Sequence, residues 1–369
     1  MAIGQKEYAE RRERLSALLE ERGLDAIFLH PSSDLEYLTG LERDLPSFGH
    51  ISYAHGWVAG AFLAPGREPL FVLPRMVVAF HLDGKPPPGA VVVHEDADGR
   101  VLFAEAARSL GAPRRLAVGA RAWAETAIEL EHALPGVELA EGSTLVNELR
   151  RVKSPAELEL MTTACAIARD AMDAVTPSVV AGVSMVSLVE EVEHALRVRG
   201  SRCPSFPTHI FTWGERRLDS GDASGLEALR EGEVVLFDFG GVVEGYCSDF
   251  GRALPCGEPP DGYEKARRAM LEAQEAGREA ARPGALAREV NAACRAPIEA
   301  AGLGGGFRHR MGHGIGLDVH EHPFLSVEDD TRLEEGMTFT DEPSILVDGR
   351  FGVRVEDVIA VTADGGRVL

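Results

Sequence analysis

Five acidic or imidazole side chains in the last third of the sequence could together hold metal ions. Asp238, Asp249, His313, Glu342 and Glu356 each lie in a short apolar segment bounded by glycine or proline. A charged side chain in such a segment is costly to bury unless it is paired or bound to a cation. Two divalent cations about 3.5–4 Å apart need bridging anionic oxygens. The five residues therefore predict a single two-metal site.

Taken singly, each carboxylate also has an ordinary structural interpretation. Asp238 and Asp249 could cap a helix or a turn, and Glu342 and Glu356 could each form a salt bridge. The Asp-Phe-Gly triplet that begins at Asp238 also occurs in kinases, but the other kinase motifs are absent. It is the complete set that requires a common explanation.

Two pairs of strands are predicted to bring the carboxylates together. Asp238 and Asp249 are 11 residues apart with glycines between them, which indicates two antiparallel strands joined by a glycine-containing turn. Because an odd separation puts residues on opposite faces of a strand, the turn or a bulge must set their facing. Glu342 and Glu356 flank a turn at Asp348-Gly349 and predict a second hairpin.

A cluster of histidines lies near the predicted metal ligands. His309, His313, His320 and His322 fall within 14 residues around a glycine-rich turn, although the chain has only 12 histidines. A lone histidine is more often structural than functional, but this crowding favours a site. Glycines would let the backbone approach a substrate closely.

Composition narrows the classes of function. The chain has 369 residues, 45% of them hydrophobic, and a formal net charge of -21, which argues against nucleic acid as a partner. The N-terminus lacks an apolar signal core, and the most apolar early segment, Ile51 to Pro65, is too short to span a bilayer. Five cysteines without a CxxC pair fit a reducing compartment. We therefore expect a cytoplasmic protein without a membrane partner.

Two domains are predicted. Residues 1–152 alternate helical and strand patterns and indicate an α/β domain without a catalytic cluster. Ser154-Pro155-Ala156-Glu157 forms a capping-box pattern that opens a long helix. Residues 153–369 then read as helices packed on one face of a largely antiparallel curved sheet, so the overall class is α+β.

The sequence resembles the pita-bread metallopeptidases, in the branch of Xaa-Pro dipeptidase (prolidase) and aminopeptidase P. The resemblance rests on DFG, SDFGR, RMGHGIGLDVHEHP, DEPSI and GVRVEDV, which match the five metal-ligand motifs in order, and on LRRVKSPAELELM at the domain junction. It extends over the whole chain, and it implies an N-terminal creatinase-like domain and a C-terminal pita-bread catalytic domain.

The resemblance also implies roles for individual residues. Asp238 and Asp249 would bind the first metal and His313 and Glu342 the second, with Asp249 and Glu356 bridging. His309 and His320 would contact the scissile carbonyl and the substrate. Arg354 would support the metal carboxylates or the substrate, and Glu342 would carry the proton from water to the leaving amine.

One departure from the family pattern stands out. The family usually carries a histidine 17 residues before the first aspartate, and this position is Gly221 here. The nearby residues that could replace it are Ser220, Asp222, Arg216 and Arg217, with His209 further away.

The implied activity is hydrolysis of the Xaa-Pro bond of dipeptides by a hydroxide bridging two divalent cations. The oxygen-rich ligand set suits Mn²⁺ best, with Co²⁺ or Zn²⁺ as alternatives. The other functions considered are an aminopeptidase P acting on longer Xaa-Pro peptides, a non-peptidase hydrolase such as creatinase, and a binding protein that has lost catalysis. The resemblance further implies a homodimer, with residues 34–44 as a candidate contact near the partner's pocket.

Overall fold

The computed structural model describes residues 2–43, 53–111 and 113–369. The chain folds as two compact units, Ile3–Arg150 and, together with Ala2, Arg151–Leu369. Within the described ranges, no helix combines the length and the apolar character needed to cross a bilayer.

The first unit is a mixed sheet with helices. Its helices are α1 (Gln5–Glu21), α2 (Ser33–Thr39), α3 (Arg75–His81), α4 (Gly99–Ser109), α5 (Ala124–Ala133) and α6 (Ser143–Arg150). Its strands are β1 (Ala26–Leu29), β2 (Gly60–Leu63), β3 (Leu70–Pro74), β4 (Val91–Val93), β5 (Arg115–Val118) and β6 (Glu138–Glu141). The strand order is β4-β3-β2-β1-β5-β6, and β2 and β3 form an antiparallel pair.

An aromatic cluster fills the core of this unit. Phe28 on β1 lies between Phe62 and Phe103, with ring centroids 4.7 and 5.4 Å away, and all three rings are buried. Such tilted and edge-on pairs add to the free energy of burying the rings. No group of three metal-binding side chains occurs in the described residues of this unit.

The second unit combines long helices with many short strands. Its helices are α7 (Pro155–Val175), α8 (Met185–Val198), α9 (Tyr263–Ala280) and α10 (Ala287–Ala300). Its strands are β7 (His209–Thr212), β8 (Val234–Phe239), β9 (Val242–Val243), β10 (Tyr246–Cys247), β11 (Phe250–Pro255), β12 (Gly312–Gly314), β13 (Glu321–Leu325), β14 (Thr338–Asp341), β15 (Ser344–Val347), β16 (Phe351–Thr362) and β17 (Gly365–Val368). The predicted capping box is confirmed, because Ser154 and Glu157 each bond the other's backbone at the start of α7.

One antiparallel sheet organises this unit. Its strands follow the order β13-β12-β14-β16-β11-β8-β7, and β15 and β17 also pair with β16. The short strands β9 and β10 form a separate ribbon. The long strand β16 therefore touches both halves of the sheet, which brings residues from distant segments of the chain together.

Helices cover both faces of this sheet, so the prediction of helices on one face was wrong. On β8, Val234 and Leu236 pack in the cluster of α9 and α10, whereas Val235 and Phe237 pack in the cluster of α7 and α8. Alternate residues of a strand point to opposite faces. The unbroken apolar run of β8 is the signature of a strand buried on both sides.

Candidate active site

The two aspartates reach the site from neighbouring strands. Asp238 lies on β8, opposite Gly251 of β11, and Asp249 is the residue just before β11. Instead of a simple turn, the β9–β10 ribbon lies between the two strands. Because of this ribbon, Asp249 is not paired with a residue of β8. Its side chain can therefore lie on the same side as Asp238, although an odd separation along one regular strand would place the two side chains on opposite faces.

The two glutamates meet across a second antiparallel pair. Glu342 lies between β14 and β15, both of which pair with β16, and Glu356 lies on β16 itself. Asp341 is opposite Asp357, and Ser344 is opposite Arg354, so Glu342 falls beside Glu356. The predicted hairpin is confirmed, and it adjoins the aspartates because Gly251 of β11 is also opposite Glu356.

Three carboxylates form the tightest group in the site. Asp238, Asp249 and Glu356 each offer an oxygen atom, and these atoms lie within 4.8 Å of one another. His313 joins the group, since its Nε2 is 3.5 Å from Asp249 Oδ2 and 3.5 Å from Glu342 Oε1. The structure therefore brings all five predicted ligands together.

The orientation of His313 suits a metal ligand. Its Nδ1 lies 3.1 Å from the carbonyl oxygen of Gly314, which can only accept a hydrogen bond, so Nδ1 carries the proton. The unprotonated Nε2 then faces the carboxylates of Asp249 and Glu342. Lone pairs facing anionic oxygens repel one another unless a cation lies between them, and backbone bonds of this kind typically orient metal-binding histidines.

Burial and crowding shift the acidity of the carboxylates strongly. Burial, followed by the charges of Asp238 and Glu342, raises the pKa of Asp249 well above its usual range. Burial, followed by the charges of Asp249 and Glu342, does the same to the pKa of Glu356. Burial also raises the pKa of Glu342 to about 7, with the charge of Asp238 adding to the effect. Like charges this close are stabilised only by protons or by cations.

The donor set fits divalent cations. Asp249 Oδ1 is buried without a hydrogen-bond partner among the described residues, although a carboxylate oxygen in such a place needs one. Carboxylate oxygens with one imidazole nitrogen suit hard or borderline divalent metals. Metal ligation would satisfy the orphaned oxygen and offset the crowded charges together.

Arg354 and Gly251 frame the ligands. Arg354 on β16 donates to Asp238, and its Nη1 lies 3.4 Å from Glu356 Oε2. A Cβ atom at Gly251 would clash with Glu356 Oε2 and come within 2.6 Å of Arg354 Cδ. Gly251 is therefore needed for space, a role that reading the SDFGR motif did not anticipate.

The two predicted substrate histidines differ in their surroundings. In His309 both ring nitrogens have protein partners, because Nδ1 lies 2.6 Å from the Arg310 carbonyl oxygen and Nε2 bonds the Ser344 hydroxyl. Burial, followed by the charge of Arg354, lowers the pKa of His309 to about 4, so its ring is neutral near pH 7. The ring centre of His320 lies 3.9 Å from that of His313, with the two rings tilted by 36°, and His320 is exposed.

The five predicted ligands, Arg354 and the two predicted substrate histidines line one cavity of about 450 Å³. Its lining comprises Phe206, His209, Asp238, Asp249, His309, Arg310, His313, Val319, His320, Glu342, Arg354 and Glu356. Of the candidates to replace the missing histidine at Gly221, all of them described in the structure, only His209 lines this cavity. Its Nε2 lies 2.9 Å from Asp219 Oδ1, and it is opposite Asp238 in the ladder.

The other candidates from that segment have partners elsewhere. Arg216 Nη1 lies 3.0 Å from Glu233 Oε1, and Arg217 lies over the ring of Trp213 with Asp348 as its ion-pair partner. Asp222 accepts a hydrogen bond from the backbone of Ser224. The positions of these three side chains give no support to the prediction that one of them replaces the missing histidine.

Sequence reasoning also missed residues that position the ligands. Thr340 Oγ1 donates to Glu342 Oε1 at 3.1 Å and accepts from the backbone N–H of His313 at 3.0 Å. Ser344 holds His309, and Arg310 joins the cavity wall. Ser344 is part of the DEPSI motif and Arg310 directly follows His309. Their closeness in sequence to predicted site residues was the one indication that they belong to the site.

Comparison with known proteins identifies two family profiles and several similar peptidases. The profile of metallopeptidase family M24 matches residues 159–363, and that of the creatinase/prolidase N-terminal domain matches residues 11–152. An Xaa-Pro dipeptidase of Pyrococcus horikoshii is 28% identical over 360 residues, which cover 98% of this chain and 96% of that protein.

Two solved structures are similar over almost their whole length. An Xaa-Pro dipeptidase from Bacillus anthracis has a TM-score of 0.83 at 30% identity, covering 98% of this chain and 97% of that one. A dipeptidase from Pyrococcus horikoshii OT3 has a TM-score of 0.85 at 30% identity, covering 97% of both chains. The predicted two-domain α+β fold and the predicted family are confirmed: the chain is a metallopeptidase enzyme that belongs to family M24, a family of divalent-metal peptidases.

Proposed function

We propose that this metallopeptidase hydrolyses the Xaa-Pro bond of dipeptides with two divalent cations bound by Asp238, Asp249, His313, Glu342 and Glu356. The observation that carries the proposal is the convergence of these five side chains on one cavity, with three carboxylate oxygens within 4.8 Å of one another. The names of the relatives supply the substrate class.

The contacts support an allocation of the ligands. Asp249 lies in the group with Asp238 and Glu356 and is also 3.5 Å from His313, which in turn is 3.5 Å from Glu342. A ligand shared by two cations must lie between the ligands of the first cation and those of the second. Asp249 is therefore proposed as one bridge, and Glu356 as the other.

Bound there, the cations would lower the pKa of water and polarise the substrate carbonyl. Glu342 would take a proton from water in the cavity and deliver it to the leaving amine, because its carboxylate lines the cavity beside the other proposed ligands. Thr340 donates its hydroxyl to Glu342 Oε1 and thereby fixes the orientation of the carboxylate.

The histidines have separate tasks in this proposal. His320 donates a hydrogen bond to the oxyanion that develops on the carbonyl oxygen, because its ring lines the cavity beside His313. His309 shapes the substrate side of the site, and a direct contact with substrate requires the Ser344 hydroxyl to release its Nε2.

The cavity wall also suits a proline leaving group. Proline contributes a tertiary amide without an N–H, so its site needs an apolar slot and no acceptor for that hydrogen. Phe206 and Val319 supply apolar lining beside the ligands.

A metal-titrated activity panel tests the proposal. Chelated protein should be inactive on Ala-Pro, Met-Pro and Leu-Pro, and Mn²⁺ should restore activity better than Co²⁺ or Zn²⁺, with weaker cleavage of the longer Ala-Pro-Ala. Full activity after chelation would exclude the metal mechanism. Faster cleavage of Ala-Pro-Ala than of Ala-Pro would identify an aminopeptidase P.

We further propose a homodimer in the cytoplasm. Buried thiols at Cys165, Cys256 and Cys294 support a reducing compartment. Of the candidate contact region, Asp34 is buried within its own unit, and Asp44 lies outside the described residues. Light scattering tests the assembly, and a fully active monomer at nanomolar concentration would exclude it.

A further inference from the structure

A buried ion pair lies next to His320 but outside the cavity. Lys153 Nζ is 3.0 Å from Glu321 Oε2, and the two side chains are only 1% and 2% exposed. Neither residue belongs to the cavity lining. Such a pair stabilises a fold little more than apolar side chains of the same volume would, because the free energy of taking two charges out of water offsets their attraction. Its location is therefore more informative than its strength.

The pair anchors the loop that carries His320. This loop, residues 315–320, connects β12 to β13 and contains no helix or strand. Glu321 directly follows His320, and its Oε1 accepts a hydrogen bond of 3.0 Å from the backbone N–H of Asp318. One carboxylate thus binds the backbone of the loop with one oxygen and the ammonium group of Lys153 with the other.

Lys153 and the loop are both held in place by their surroundings. The backbone N–H of Lys153 donates to the Gly336 carbonyl oxygen at 2.9 Å, which ties Lys153 to the segment before β14. A Cβ atom on Gly316 would come within 2.9 Å of both Lys153 Cε and Glu321 Oε1, so the loop packs directly on the pair. Displacing either charge would therefore displace the loop.

The ring of His320 depends on this support. Among the described residues, none forms a hydrogen bond with that ring, whose centre lies 3.9 Å from the ring centre of His313. The backbone of the loop must therefore set the direction in which the ring points. A donor for an oxyanion has to be oriented before the reaction, and a displacement of about 1 Å can lower the rate ~10²-fold.

We propose that the Lys153–Glu321 ion pair positions His320 for its hydrogen bond to the developing oxyanion. Both are positioning residues, since they lie outside the cavity lining and act through the loop. The inference rests on the proposed function and adds to it the interaction that orients His320.

A double-mutant cycle with His320 tests the proposal. The pair is removed as Lys153→Met with Glu321→Met, both in the wild-type background and in the His320→Gln background. Glu321→Gln is a second variant, which keeps the shape of the side chain and one acceptor oxygen. The matched control is Arg216→Met with Glu233→Met, which removes an ion pair of 3.0 Å that is likewise outside the cavity lining. Melting temperature and metal content are measured for every variant.

Removing the pair should lower kcat on Ala-Pro roughly 10- to 100-fold with KM nearly unchanged, as expected for a displaced donor. In the His320→Gln background the same removal should change kcat less than about threefold, because the group that the pair positions is already absent. The melting temperature should change little, since both charges are removed together. Glu321→Gln should lower kcat about 3- to 10-fold, again only when His320 is present, and the control should retain wild-type kcat.

NMR of the histidine rings in chelated protein gives a readout without turnover. The signal of His320, assigned by its absence in His320→Gln, should shift when the pair is removed, whereas the signal of His309 should keep its position.

An equal loss of kcat in both backgrounds, no loss in the wild-type background, or an unshifted His320 signal would overturn the role of the pair while leaving the peptidase function intact. If the double replacement does not fold, the cycle with Glu321→Gln decides by the same outcomes. If wild-type protein fails to cleave Ala-Pro with every divalent metal tested, the proposed function itself fails, and the inference fails with it.

Discussion

Both units of the chain bury charged side chains, but the charges that surround them differ. In Ile3–Arg150, Nη1 of buried Arg150 lies 2.6 Å from Oδ1 of buried Asp34, and buried Arg43 pairs with Glu36. In Arg151–Leu369, Asp249, Glu342 and Glu356 are buried beside one another, and burial raises the pKa of each.

The contrast separates two uses of buried charge. An ion pair whose partners come from the same unit satisfies itself and stabilises the native arrangement, provided neither partner is removed. A group of like charges destabilises the protein that carries it until something of opposite charge binds. The first pattern serves structure, and the second indicates a binding site.

The sharpest test of this contrast is a pair of neighbouring residues on β16. Glu356→Gln removes a proposed bridging ligand, so kcat on Ala-Pro should fall by at least about 10³-fold, because several parts of the catalytic charge arrangement are lost together. In chelated protein the same variant should melt no lower than wild type, since it relieves repulsion. Activity assays and calorimetric scans measure both effects.

Asp357→Asn is the matched control for Glu356→Gln. Asp357 is also buried but pairs with Arg252 at 2.9 Å and accepts from Gln274 at 3.0 Å. Its loss should lower the melting temperature of chelated protein. If both variants melt alike, the distinction between paired and crowded carboxylates is wrong.

The pair in the first unit should respond in the opposite way from the metal ligands. Asp34→Ala removes the carboxylate that pairs with buried Arg150 and should cost about 3–5 kcal/mol of stability. The double variant Asp34→Leu with Arg150→Met should recover most of that loss, because apolar replacements need no counter-charge. Denaturant unfolding followed by a probe in this unit measures both. A double variant as unstable as the single one would contradict the pairing.

His320 should matter for catalysis more than for folding. Removing one donor from an oxyanion site typically lowers the rate by ~10²–10³-fold, and we expect this of His320→Gln with KM nearly unchanged. His322→Gln, an exposed neighbour that is absent from the cavity lining, should retain wild-type kcat. Equal effects of the two substitutions would remove His320 from the mechanism.

Metal should stabilise the second unit selectively. At a free Mn²⁺ concentration 100 times the dissociation constant, mass action adds about 2.7 kcal/mol to the folded state. Hydrogen exchange should therefore slow in β8, β11 and β16, which carry or adjoin the ligands, and change little in β1 and β5. Uniform protection of both units would show that the metal effect does not originate at the proposed site.

Helix starts and the five proposed metal ligands could be predicted from the sequence. Helix starts such as Ser154 carry local capping signals, and the ligand motifs are local patterns of charge in apolar strands. The prediction that helices cover one sheet face was wrong, although the unbroken apolar run of β8 indicates a strand buried on both sides. Which helices pack on each face cannot be read from that run.

The sequence by itself determined which residues could bind metal and which family the chain resembles, since residue type and spacing are enough for both. Only the tertiary structure decided which side chains share the cavity. Arg216 and Arg217 are close to Gly221 along the chain but pair elsewhere, whereas His209 faces the site because its strand pairs with β8. Likewise, Lys153 and Glu321 are 168 residues apart in the sequence, and their pairing next to His320 is known only from the fold, because residues so far apart meet only through the packing of the elements between them.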